Sequence, residues 1–362
     1  MPMKRAFISL LLVLIGASQS AYATSNTALP QWQPGVRGDL AVEASGFLRE
    51  ANYRNPDKVA IEMSEDGAYS PLNQAWEKTH QGNWRIEEQR YAFDAVLAGI
   101  DYHRQDVIER GEKIFDWGFR QEKPDGSFDC ADSFHSASFF IEAAAHAALL
   151  LEASGMREQN QAWVDRISPK LRLAVLWMMN PANESRGRAH DAPYTHRFYL
   201  DADAIGETGV LLHDAAMIEH SKSYVRAGIA RQDASGFNPE KGGSDTSYHS
   251  VGLMFALYYY TLVADDGTRR ELRPMVERGL RWLKGRLRED GTVDQTGNTR
   301  TGFGQERGPN GTLKFMSYGS AWRAAWYWAA ITGDTQWAQM AQALYSGNQV
   351  EQKQRQQAAQ SF

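Results

Sequence analysis

The chain has one cysteine, Cys130, so no intrachain disulfide can form and stability has to come from buried apolar surface. A lone cysteine is usually a small buried hydrophobe, and Cys130 is read that way. Basic charge is not in excess: the formal net charge is −5, which argues against nucleic acid as a partner. HExxH and paired cysteines at zinc spacing are both missing. Only HDAPYTH, with His190, Asp191 and His196, has any metal-like spacing, and no metal is expected from it alone. No run alternates apolar and polar residues as a strand would. Beyond the N-terminal leader there is no long charge-free apolar stretch, so no membrane span is predicted for the remainder.

The leader reads MPMKRAFISLLLVLIGASQSAYATS. Lys4 and Arg5 precede an apolar run from Phe7 to Ile15, which is of signal-peptide length and short for a span. Ala21-Tyr22-Ala23 fits a small-x-small cleavage site, so residues 1–23 are expected to be a removed signal of bacterial form. The mature protein is then expected in the periplasm or outside the cell, with no membrane attachment. Eleven tryptophans and fifteen tyrosines suit stacking on sugar faces, although aromatic rings also fill cores.

The remaining patterns are helical. In PMVERGLRWLKGRL, Val276, Leu280, Leu283 and Leu287 form one apolar stripe on an otherwise charged helix. ASFFIEAAAHAALLLEA (137–153), VGLMFALYYYTLV (251–263) and AWRAAWYWAAI (321–331) are apolar nearly all round and should be buried on every side. An amphipathic helix, a polar loop and an apolar helix follow one another four times. His135, His196, His249 and Tyr318 fall at equivalent places, spaced unevenly at about 50 to 70 residues. Such hairpins predict an all-α fold, an incomplete or closed toroid of about six or seven pairs, with apolar helices inside and amphipathic ones outside. The toroid is expected over 85–346, opening at NWRIEEQRYAFDAVLAGI (83–100). A less regular segment (24–84) packs on it, and a polar, frayed tail (347–362) follows. The long loops would share one rim, at the N-termini of the inner helices, whose free N–H groups would favour an anionic substrate.

Residues able to do chemistry collect in those loops. GGSDTSYHSVG supplies Asp245, Tyr248 and His249; a phenol and an imidazole together can move protons. HDAPYTHRFYLD supplies His190, Tyr194, His196 and Arg197, outside any apolar run, and DSFHSASFF supplies His135. His146 and His213 lie within helices and are expected to pack or bond locally. GNTRTGFGQERGPNGTLK holds Asn298, Arg300, Arg307 and Lys314, cations able to grip carboxylates.

FHSASFFIEAAAHAALLL, THRFYLDADAIGETGVLL, GGSDTSYHSVGL and NTRTG with SYGSAWRAAWYWA together resemble the α/α-toroid polysaccharide lyases, above all the bacterial alginate and glucuronan lyases, over about residues 85–335. The resemblance implies β-elimination on a uronic acid polymer, needing no cofactor. A neutraliser takes up charge on the carboxylate, a base removes the C5 proton and an acid protonates the departing O4. Carried onto this chain, it implies Tyr248 as acid, His196 as base or neutraliser, and Arg300 on the carboxylate. Whether Tyr248 also acts as base stays open. His249, Arg197 and Asp245 would support them; His135, His190, Tyr194, Trp84, Asn298, Lys314 and Tyr318 would bind substrate. The expected partner is an anionic polysaccharide, and the protein is expected to act as a monomer. Two other readings remain: a glycoside hydrolase on the same toroid, drawing two carboxyls from Asp129, Asp132, Asp201, Asp203, Glu207 and Asp245, and a non-catalytic exopolysaccharide-binding protein.

Overall fold

In this computed structural model, residues 28–52, 56–59, 63–69, 86–130, 132–308 and 311–360 are described. The leader, Trp84 and most of the stretch before residue 86 lie outside them. The fold is all-α; between the helices there are only isolated β-bridges among the described residues.

The apolar sequences form the inner helices: α3 (Ala92–Tyr102), α5 (Ser133–Ala153), α8 (Thr195–Leu211), α10 (Thr246–Leu262) and α12 (Tyr318–Thr332). Each runs into an outer helix with a polar face: α4 (Gln105–Arg120), α6 (Arg157–Met178), α9 (Ala215–Ile229), α11 (Asp266–Lys284) and α13 (Thr335–Gln360). On α11 the predicted stripe is buried at Val276, Leu280 and Leu283, while the charged face looks outward. Inner helices pack on one another in the order α3, α5, α8, α10, α12, which is the wall of an α/α toroid. A short helix, α7 (Pro181–Asp191), is inserted before α8.

Among the described residues the ring is of the incomplete kind. Five inner–outer pairs lie among the described residues, and α1 (Val36–Glu43) and α2 (Gly46–Asn52) fill the sector beside α12. Trp326 Nε1 donates to Ser45 (2.8 Å), Trp322 Nε1 donates to Asn52 (3.1 Å), and Phe47 packs on the Trp326 ring. Helix α1 reaches α5, α10 and α12 through buried Asp39 and Glu43, at the C-terminal halves of those helices. It therefore plugs one end of the ring. The other end stays open as a rim of loops, because hairpin connections make all the inner helices run the same way. At the C-terminus, the segment expected to fray continues α13 as helix to Gln360.

Candidate active site

The rim opens into a cleft of about 600 Å³, walled by α3, α5, α8, α10 and the 285–317 loop. Its best-ordered corner is the start of α10. Asp245 is the N-cap: Oδ1 accepts the backbone N–H groups of Ser247 and Tyr248 at 3.1 and 3.0 Å. Its other oxygen accepts from the backbone N–H of Arg300 and Thr301, at 2.9 and 2.7 Å. One buried carboxylate thus aims Tyr248 and ties the Arg300 loop beside it.

Tyr248 is covered by Arg300, whose guanidinium carbon lies 3.4 Å from the ring centroid. Lys314 Nζ donates to the phenol oxygen at 2.7 Å, and the His196 ring stands 4.9 Å away, centroid to centroid. Beneath them lies Glu240, fully buried. Its Oε1 accepts from His196 Nδ1 (2.8 Å) and from the His196 backbone N–H (3.0 Å); its Oε2 accepts from Arg300 Nη1 (3.2 Å). Arg300 Nε also donates to Glu306 at 2.8 Å. With Nδ1–H held by Glu240, the unprotonated nitrogen of His196 is Nε2.

The electrostatics follow from burial. Burial pulls the His196 pKa below the usual imidazole value, with Glu240 opposing, so His196 is neutral and basic at neutral pH. Burial pushes the Tyr248 phenol up, and Arg300 only partly offsets this, so Tyr248 keeps its proton. The neighbouring cations do not lower this phenol overall. Lys314 is pushed down to about 8, first by burial and then by Arg300. Burial would raise Glu306, but Arg300, Lys314 and Lys241 outweigh it and hold it at about 2.

Other predicted residues share the cleft. Tyr194 has the Arg197 and Arg300 guanidinium carbons 4.3 and 4.8 Å from its ring centroid. Arg197 Nη1 donates to Asp191 (2.6 Å) and Asp132 (3.0 Å) and contacts His190 Nδ1 (3.1 Å). His135 lines the cleft too, and burial followed by Arg197 keeps it neutral. His190 is about half exposed at the edge.

Several predicted residues face elsewhere. His249 is fully buried between α10 and α11: its Nδ1 accepts from Asn238 N–H and its Nε2 donates to the Gly279 carbonyl, both at 3.0 Å. Burial pushes it down to about 4, and it has no face in the cleft. Asn298 spends its amide on Thr246 and Thr301. Tyr318 is buried, its OH accepting from Val293 N–H at 3.1 Å. Trp84 falls outside the described residues. Asp132, Glu240 and Asp245 already accept from the starts of α5, α8 and α10, whereas α12, whose Gly319 and Ser320 line the cleft, has no side-chain cap. Guanidinium and ammonium groups add to the attraction for an anion.

Sequence reasoning missed Glu240, Glu306, Arg90 and Arg323, all at or beside the cleft. Glu240 stands in the quoted loop sequence NPEKGGSD. Its signal is the tight turn after it, with positive φ at Lys241 (51°) and Gly242 (83°), which folds the carboxylate back under α8.

Asp132, His190 and Asp191 are close enough to suggest a metal set, but Arg197 Nη1 already occupies their common centre.

No protein-family model matches the chain, and no curated relative is similar to it. Among solved structures it is similar to the unsaturated glucuronyl hydrolase of Bacillus sp. GL1, a protein responsible for the degradation of glycosaminoglycan. The identity is 12% over 82% of this chain and 96% of that one, with a TM-score of 0.37. The chemistry has to be read from the cleft itself.

Proposed function

We propose that the protein is a polysaccharide lyase that cleaves a 1,4-linked uronic acid polymer, alginate or polymannuronate or glucuronan, by β-elimination. One observation carries the reading: a protonated phenol, a neutral imidazole braced by a carboxylate, and two neighbouring cations meet in one open cleft. The uronate carboxylate binds against Arg300 and Lys314, with Arg197 alongside. As the C5–H bond breaks, charge moves onto that carboxylate, where fixed cations stabilise it. His196 Nε2 takes the C5 proton, and Glu240 on Nδ1 stabilises the imidazolium that forms. The electron pair becomes the C4–C5 double bond, the C4–O4 bond breaks, and Tyr248 gives its proton to O4. Water then restores the resting protonation of both groups.

Hydrolysis is less well supported, since none of the six carboxyls that the sequence offers for it lines the cleft. Asp245 and Asp132 are spent as helix caps, and Asp201 accepts from Ser138. The leader reading places the enzyme in the periplasm or outside the cell.

The test mixes the mature chain with alginate, polymannuronate, glucuronan and hyaluronan and follows ultraviolet absorbance of the new double bond. Absorbance growth on a uronan is expected. Folded protein that is silent on all four overturns the reading. Products one water heavier would make it a hydrolase and direct attention to Asp94 and Glu142, and binding without product would make it a carbohydrate-binding protein.

A further inference from the structure

Below the catalytic corner, α5 and α8 carry a second polar cluster. On α5, His135, Glu142 and His146 recur at i, i+7 and i+11; on α8, His196, Asp203 and Glu207 do the same. Eleven residues make three helical turns, so each set lies on one stripe. The deeper members stand about 16 Å below the rim at 1.5 Å per residue. Each stripe thus starts at the rim and ends in the interior near α1.

The lower cluster is not self-sufficient. Glu207 is fully buried, and neither of its carboxylate oxygens has a hydrogen-bond partner. The same holds for Asp203, one turn earlier. His146 is also fully buried. Its Nε2 is engaged by Asp39 at 2.7 Å, which leaves Nδ1 without a hydrogen bond, facing Glu142 Oε1 at 3.6 Å and Glu207 Oε1 at 3.9 Å. Buried groups in this state are costly unless something binds them. Protonating Glu207 or Asp203 would remove charge but still leave an O–H without an acceptor. A cation beside Glu142 would satisfy Glu207 and the His146 Nδ1 together.

We propose that Glu142, His146 and Glu207 bind a divalent metal ion of the zinc class at the floor of the cleft. Their ligating atoms lie within 4.8 Å of one another. Zinc holds nitrogen and oxygen ligands at about 2.0–2.2 Å in a tetrahedron, which sets them roughly 3.4 Å apart, so the His146 Nδ1 contacts at 3.6 and 3.9 Å need only a small contraction and the two carboxylates a side-chain adjustment. An imidazole with carboxylates suits zinc or manganese better than calcium. Asp39 is the outer carboxylate that fixes the histidine tautomer, a common arrangement behind a metal-bound histidine. Glu142 also lines the cleft, which gives the ion a way in. Because Asp39 belongs to α1, the ion would fasten that helix to α5 and α8.

The experiment uses full-length mature protein purified without chelator. Elemental analysis is expected to find about one zinc or manganese per chain. After stripping with EDTA, the melting temperature should fall, and zinc chloride or manganese chloride should restore it. Glu207→Gln should abolish both the bound metal and the melting response, and Asp39→Asn should weaken zinc binding by about 10- to 100-fold. His190→Ala, which alters the acidic set at the rim, should leave the metal in place. Wild-type protein with no bound metal and the same melting temperature with and without either chloride overturns the proposal, whether or not the variants fold. Metal retained in Glu207→Gln and lost in His190→Ala also overturns it.

Discussion

Glu240 serves a neutral imidazole and a guanidinium with one carboxylate, taking the His196 Nδ1–H on one oxygen and an Arg300 N–H on the other. That makes it a positioning residue whose loss has a signature beyond lost stability. His196 has to be neutral to accept a proton, so kcat/KM should rise as pH climbs through a pKa below the usual imidazole value. Glu240→Gln removes the charge that favours imidazolium, so that acid limb should move to lower pH while kcat falls. An acid limb left where it was would separate Glu240 from the proton transfer. Lys314 sets the other limb. In the proposed elimination its cation is needed on the carboxylate, and it loses its proton at about 8, so activity should decline above that pH. Lys314→Arg cannot deprotonate in this range; its residual activity should keep its plateau beyond pH 8, as a pH–rate profile would report. Tyr248→Phe deletes the acid and should cost about 10²- to 10⁴-fold in kcat with polymer affinity retained, measured by ultraviolet assay and calorimetry. Tyr248, His196, Arg300 and Lys314 were all legible as reactive side chains in polar loops. His249 was misjudged because neighbours on a helix point about 100° apart, and only one of the two can face the cleft. Glu240 was hidden because a glutamate in a polar loop looks solvated until the turn beyond it is known.

The helix caps show how elements hold such residues. Asp245 caps α10 and also accepts the Arg300 and Thr301 N–H groups, whereas Asp265 caps α11 near the surface with Thr268 and Lys222. Losing an ordinary cap costs about 1 kcal/mol. Asp265→Ala should therefore cost about that much in urea denaturation and leave turnover alone. Asp245→Ala also strands two buried N–H groups, each worth about 1–3 kcal/mol, so its loss should be at least twice as large and should lower kcat. Equal losses would show that the loop is held by something else. The helices themselves were readable because the inner ones are apolar on every side and the outer ones on one stripe. A finer repeat was present but unread. PDGSF, DASGF and EDGTV form similar turns before the inner helices α5, α10 and α12, with aspartates accepting from Ser127, Ser235 and Thr292. In all three the glycine is pressed on the next outer helix, where a Cβ would meet Leu173 O at 2.4 Å, Arg278 O at 2.6 Å or Ala343 O at 2.1 Å. No copy stands before α8, so these three turns did not stand out as a period.

At the scale of the whole molecule, parallel inner helices give the ring two unlike ends: an open rim that collects the reactive side chains, and a closed end sealed by α1. That plug was not legible. VRGDLAVE has no clear apolar stripe, because beside Val42 it buries Asp39 and Glu43, and buried carboxylates look like surface until their partners are known. Glu43 shows what the seal depends on. It is fully buried, pairs with Arg323 at 3.0 Å, and accepts from the Tyr258 and Tyr327 hydroxyls at 3.2 and 3.0 Å. Removing one partner of a buried ion pair costs about 3–5 kcal/mol, mainly through the charge left behind, whereas replacing both with apolar groups is often nearly neutral. Glu43→Ala should therefore destabilise the fold by about that amount in urea denaturation, and adding Arg323→Met should recover most of the loss. If the double variant is no more stable than Glu43→Ala alone, the stranded guanidinium is not the cause, and the seal depends on the two tyrosine hydrogen bonds and the packing of α1 instead.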